Sequence, residues 1–146
     1  MIIRVMYHSS TGNTKKIAVA IANALNIKAE PIDGDQISIS EPIDLLFIGD
    51  GIYFGKMNKQ TLSFINQLNP AIIKNVAVFA TYGGQSSIGS EIQQSLKNKG
   101  LKVIGEPFTC KGQAWLFLNR KHPIESDFKN AGEFAKHIVE KIANQE

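Results

Sequence analysis

Cysteine is nearly absent from this chain. Cys110 is the only one among 146 residues, so no intrachain disulfide can form and no cysteine-built staple is possible. None is needed at this length, which fits one domain (1–146) able to bury roughly two-thirds of the surface its unfolded chain exposes. A lone thiol agrees with a reducing, cytoplasmic setting, and we expect that location. Long apolar runs are missing too: none approaches the ~20 residues of a membrane helix. The opening Met1-Ile2-Ile3-Arg4-Val5-Met6-Tyr7 is too short for a signal-peptide core, and polar residues follow at once. The expectation is a protein without membrane insertion. Charge runs, repeats and low-complexity tracts are also lacking. The net charge of +3 and pI of about 9.0 suit anionic ligands or acidic partners but fall short of a nucleic-acid-binding footprint, and none is expected.

Apolar runs of strand length alternate with helical periodicity. Residues 2–7 read as a buried strand, and Ile17, Ile21, Ala24 and Leu25 place a helix over 14–26. Residues 27–32 read as a weaker strand, followed by the turn signal Asp33-Gly34-Asp35. A strong strand covers 43–49. Leu62, Ile65 and Leu68 mark a helix over 59–68, with Pro70 after its end. Residues 76–81 form the next strand. Ile88, Ile92 and Leu96 mark a helix closed by Gly100. Residues 101–110 read as a strand that Gly105 and Pro107 bend or move to an edge. Ile124, Phe128, Ala131, Ala135, Ile138 and Ile142 make the longest amphipathic helix. The order β-α-β-β-α-β-α-β-α, with apolar strands between helices, predicts an α/β fold: a three-layer, doubly wound, five-stranded parallel sheet in the order 2-1-3-4-5. Ligands of such sheets bind at the carboxyl ends of the strands.

The segment after the first strand is Ser9-Ser10-Thr11-Gly12-Asn13-Thr14, with four hydroxyls and a glycine ahead of a helix. A helix start offers unpaired N–H groups and the positive end of the dipole. Hydrogen bonds to a charged acceptor are worth roughly 1.5–3 kcal/mol each, so four to six hold a phosphate dianion without a lysine. Helix capping alone would need one hydroxyl, not four. The G-x-x-x-x-G-K-[ST] and G-x-G-x-x-G loops are both absent.

Ser9-x-Thr11-Gly12-x-Thr14 resembles the flavin mononucleotide (FMN) phosphate loop of the flavodoxin family, [ST]-x-[ST]-G-x-T, and the resemblance runs over essentially the whole chain. It implies a flavodoxin-like protein that transfers electrons through non-covalently bound FMN, with a reductase and an acceptor as redox partner proteins. A small FMN-dependent reductase of quinone-like acceptors is the alternative. Asp50-Gly51-Ile52-Tyr53-Phe54-Gly55-Lys56 looks like the second flavin loop, with Gly51, Ile52, Tyr53, Phe54 and Gly55 as its flavin contacts, and Thr81, Tyr82, Gly83 and Gly84 look like the third. Tyr53, Phe54 and Tyr82 are aromatic faces suited to a flat ring, and the glycines allow close backbone approach. No residue stands out as a general acid or base, so the carrier is favoured, as a monomer or weak dimer.

The family's electron carriers are typically acidic around the flavin. Here residues 51–60 carry Lys56 and Lys59 and no acid, and residues 111–123 carry Lys111, Arg120 and Lys121 and no acid. A lysine ~7 Å from the ring, at an effective dielectric of ~20, contributes ~2 kcal/mol at most. That is on the order of 100 mV on a one-electron couple. Solvated lysines with no such influence are the alternative. Cys110 reads as a packed apolar residue or a reactive thiol, His137 as helix surface, and His8 as a possible phosphate donor. Trp115, Phe117 and Leu118 could cover a ligand, dock a partner or pack. A phosphorelay receiver domain would use Asp50, Thr81 and Lys111, but the acidic pair it needs after strand one is replaced by His8-Ser9-Ser10. A regulatory domain without redox chemistry is a further alternative.

Overall fold

The computed structural model describes residues 1–32, 39–52, 56–83, 89–112 and 123–145. Along the chain these form β1 (Ile3–Tyr7), α1 (Asn13–Ala24), β2 (Ala29–Pro31), β3 (Leu45–Ile52), α2 (Lys59–Gln67), β4 (Val76–Tyr82), α3 (Gly89–Asn98), β5 (Phe108–Lys111) and α4 (Glu125–Ala143). The five strands make one sheet, in the order β2-β1-β3-β4-β5. Every pairing is parallel. The expected strand order and helix sequence are both present.

The strands are apolar on both faces because both are covered. Met6, Leu46, Ile48, Val76, Val78 and Ala80 pack against Phe64, Ile65, Ile92 and Leu96 of α2 and α3. Their neighbours Val5, Tyr7, Leu45, Phe47, Ala77 and Phe79 pack against Ile17, Ile21, Ala131, Ala135, Ile138 and Ile142 of α1 and α4. Each fully buried Leu, Ile or Phe contributes roughly 1.5–3 kcal/mol. The alternation carries on to the strand ends: it sends Asp50 to the α2 side and Thr81 to the α1 side.

Local chemistry explains where the observed ends differ from the expected ones. Asn26 takes φ 58 after α1. Ile27 N then donates to Ala22 O at 2.9 Å, and Asn26 N to Asn23 O at 3.2 Å. This Schellman closure uses Ile27 as part of the cap, so β2 starts only at Ala29. Gly100, at φ 91, closes α3 the same way, through Leu101 N to Leu96 O and Gly100 N to Lys97 O. Pro31 is tolerated because β2 is an edge strand. The strand expected over 101–110 is broken. Val103 makes an isolated bridge to Val76, Gly105 turns at φ 70, and β5 proper is only Phe108–Lys111. In contrast, β3 runs past Gly49: Asp50, Gly51 and Ile52 pair with Ala80, Thr81 and Tyr82. Three residues expected in a loop are therefore strand. Among the described residues, no helix is long and apolar enough to cross a membrane.

Candidate functional site

Because every strand is parallel, Tyr7, Ile52, Tyr82 and Lys111 end at one edge of the sheet. The chain leaves β1, β3 and β4 there, in three segments of which residues 8–14, 56–58 and Gly83 are described. Ser9 is half-buried, Ser10 and Thr11 are exposed, and Asn13 and Thr14 are buried at the start of α1. The residue that caps α1 is Gly12, at φ 90 and ψ −9, and it makes no side-chain cap bond. Among the described residues, a Cβ built on Gly12 would meet nothing within 4 Å. The hydroxyl-rich loop therefore does not serve as an ordinary helix cap. Ser9 Oγ instead accepts from Gly12 N at 3.0 Å, which folds the loop back on itself and leaves the Ser9 O–H as a donor.

The first turn of α1 contains no acid, whereas Lys15 and Lys16 follow directly. By comparison, α2 is capped by Asn58, which accepts from Gln60 N at 2.9 Å, and α4 has Glu125 and Asp127 in its first turn. The positive end of α1 is thus left without a counter-charge of its own helix, which suits an anion. Hydroxyl donors, an uncapped helix start and open space over Gly12 fit a phosphate group.

Two buried polar contacts tie this loop to its neighbours. Thr14 Oγ1 and Thr81 Oγ1 lie 2.8 Å apart, joining α1 to the end of β4; either hydroxyl can donate. Both residues are at most 1% exposed. On the other side of the sheet His8 Nδ1 lies 3.1 Å from Asp50 Oδ1. Asp50 is fully buried. Its Oδ1 also accepts from Gly51 N at 2.8 Å, and its Oδ2 accepts from Asn58 N at 2.8 Å. Burial pushes the Asp50 carboxyl above the usual carboxylate range, while the Asn58 amide, the nearby Thr61 hydroxyl and His8 pull it back. Thr61 Oγ1 is itself buried without a hydrogen bond of good geometry among the described residues, although close enough to favour the charged carboxylate.

Of the second-loop residues, Gly51 is half-buried and Ile52 closes β3. Tyr53, Phe54 and Gly55 lie outside the described residues, as do Gly84, Trp115, Phe117, Leu118, Arg120, Lys121 and His122. Thr81 and Gly83 are buried. Tyr82 is half-buried and packs against the core on the α2/α3 side. Lys56, Lys59 and Lys111 are exposed, as is His137. Cys110 is buried, and burial, reinforced by Asp127, pushes its thiol up to about 12. It packs as an apolar side chain, not as a reactive thiolate. Asp50 offers no open carboxylate oxygen, because both are engaged inside the protein. That geometry removes the phosphorelay reading. A largely apolar groove of about 630 Å³ lies along Lys16, Val19, Ala20 and Phe128, but of the three segments it meets only Gly12 and does not mark the site.

The His8–Asp50 and Thr14–Thr81 contacts were not anticipated as pairs. A charged residue ending the apolar strand 43–49, on the same parity as Leu46 and Ile48, was the available signal for Asp50. Nothing in sequence spacing points from Thr14 to Thr81, 67 residues away.

Relatives agree with this architecture. The family model "Flavodoxin domain" matches residues 4–115. An uncharacterized protein of Methanocaldococcus jannaschii is 40% identical over 137 residues, which cover 87% of this chain and 90% of that protein. The SPbeta prophage-derived protein NrdI of Bacillus subtilis is 38% identical over 72 residues, 49% of this chain and 53% of its own. Among solved structures, a flavodoxin from the domain Archaea superposes with a TM-score of 0.77 at 20% identity, covering 98% of this chain and 99% of that one. The chain belongs to the flavodoxin-domain family.

Proposed function

We propose that the chain binds FMN and passes electrons between redox partner proteins. The observation that carries this reading is the start of α1: Gly12 at φ 90, no side-chain cap, no acid in the first turn, and open space above it. The N–H groups there, with the hydroxyls of Ser9, Ser10, Thr11 and Thr14 and the side chain of Asn13, would hold the phosphate. Gly51, Ile52, Tyr53, Phe54 and Gly55, with Thr81, Tyr82, Gly83 and Gly84, would line the ring. Bound FMN supplies the redox chemistry; the protein supplies position and electrostatics. The carrier reading is favoured over a reductase because, among the described residues, the buried acid–base pair at this edge, His8–Asp50, is spent on internal contacts.

The absorption spectrum of the purified protein tests the ligand. Flavin bands, or uptake of added FMN by a colourless preparation, are expected; a protein that stays colourless with FMN present refutes the reading. Turnover then separates the two roles. A carrier accepts electrons from NAD(P)H only through an added reductase, whereas steady NAD(P)H-dependent reduction of a quinone by the isolated protein would make it an enzyme.

A further inference from the structure

One buried carboxylate organises more of this edge than its own strand. Asp50 accepts from Gly51 N, near the end of β3, and from Asn58 N, at the start of α2, and meets the His8 ring through the oxygen it shares with Gly51. Asn58 is also the N-cap of α2. His8 directly precedes Ser9, and its backbone is held to β3 by His8 N to Gly49 O at 3.0 Å. The 9–14 loop, closed by Ser9 Oγ and Gly12 N, is thus one residue from a side chain that touches the anchor of residues 51–58. Packing does not account for the pair. An apolar pair of equal size would fill the space without desolvating a carboxylate.

We propose that the His8–Asp50 pair is a latch, through which filling of the 9–14 loop fixes the backbone at both ends of residues 51–58. The two arrangements are Gly51 and Asn58 amides held by Asp50, or released to water. An anion seated over Gly12 restrains the backbone of residues 9–12 and hence the His8 ring; the ring restrains Asp50, and Asp50 holds both amides. His8 is a positioning residue here, acting through Asp50. The proposal rests on reading 9–14 as the phosphate loop.

Amide hydrogen exchange at Gly51 and Asn58 tests it, measured by NMR on the full chain alone, with riboflavin and with FMN. Only FMN fills the 9–14 loop, so it should slow exchange at both amides at least tenfold more than riboflavin does. His8→Leu should still take up FMN and lose that extra protection. His8→Asn, whose Nδ2 stands where the imidazole Nδ1 stood, should restore it. Equal protection by the two ligands in the unaltered protein overturns the latch, and so does full extra protection in His8→Leu. If His8→Leu does not fold, the riboflavin comparison and His8→Asn decide the matter: loss of the extra protection in His8→Asn counts against the latch. Uptake of neither flavin overturns the binding reading and the latch together, whereas FMN uptake with equal protection overturns the latch alone.

Discussion

Replacing Gly12 by alanine separates the candidate site from ordinary backbone strain, because the fold contains a matched control. Gly12 has φ 90 and Gly100 has φ 91. Among the described residues, a Cβ on Gly12 meets nothing within 4 Å, and one on Gly100 meets only Pro70 Cγ at 3.7 Å, an ordinary contact. Neither substitution clashes, so each incurs mainly the left-handed strain of an L-residue, about 1–2 kcal/mol. For a chain of this size that is a fall in Tm of roughly 3–8 °C in both variants. Gly100 closes α3 ahead of β5, at the opposite edge of the sheet from Gly12. Binding should therefore respond only to Gly12→Ala, where relief of the strain turns the N–H groups of the α1 start away from the ligand. Losing one such bond to a charged phosphate, roughly 1.5–3 kcal/mol, weakens FMN about ten- to hundredfold. Thermal denaturation without ligand and titration of FMN fluorescence measure the two effects. Equal loss of stability with unchanged FMN affinity in Gly12→Ala would refute the assignment of the site.

Asp50→Asn should alter how stability depends on pH. The native carboxyl titrates above its ordinary value, so between the unfolded and folded values the native state holds the extra proton. Stability then falls as pH rises through that window and levels off above it; urea midpoints of the unaltered protein should show this slope, and those of Asp50→Asn should lack it. Thr81→Val leaves the buried Thr14 hydroxyl without its partner and should cost roughly 1–3 kcal/mol, while the Thr14→Val/Thr81→Val double variant should recover part of that loss, a non-additivity that equilibrium unfolding reads directly. Cys110 should react with a thiol reagent at pH 8 about a thousandfold more slowly than an unperturbed cysteine, and at the ordinary rate once the chain is unfolded, because its thiol is pushed up to about 12.

The strand order was legible because each buried strand is a short apolar run and each crossover carries a helix with its own 3.6-residue period. What failed were the ends, where a single backbone bond decides. Ile27 looks like strand by composition but is bound back to Ala22 in the cap of α1. Val103 and Ile104 look continuous with Cys110, yet Gly105 at φ 70 separates them. Resemblance places Asp50 in the second flavin loop, and it is strand because β4 pairs with it and its carboxyl is engaged by His8 and by the Gly51 and Asn58 amides. Composition cannot reveal such compensation, since the donors come from residues 8, 51 and 58.

The same limit applies to the candidate site. Sequence motifs locate loops one at a time, and the 9–14 loop was visible because its donors are consecutive. How the loops act on one another depends on which strand faces meet. Residue parity carries Asp50 to the α2 layer, where the Asn58 amide and Thr61 stand, and Thr81 to the α1 layer, where Thr14 stands. The loop after β1 is therefore braced on both sides of the sheet, by a carboxylate on one side and a hydroxyl on the other. The two braces differ in kind. Thr14–Thr81 is a neutral contact between two regular elements, and it fixes where the Thr14 hydroxyl stands. His8–Asp50 ends on the Gly51 and Asn58 amides, near the end of β3 and at the start of α2, so under the proposed latch it passes a change at the first loop on to them. A ligand seated in the first loop would meet a helix start already braced, with less ordering left to offset its binding.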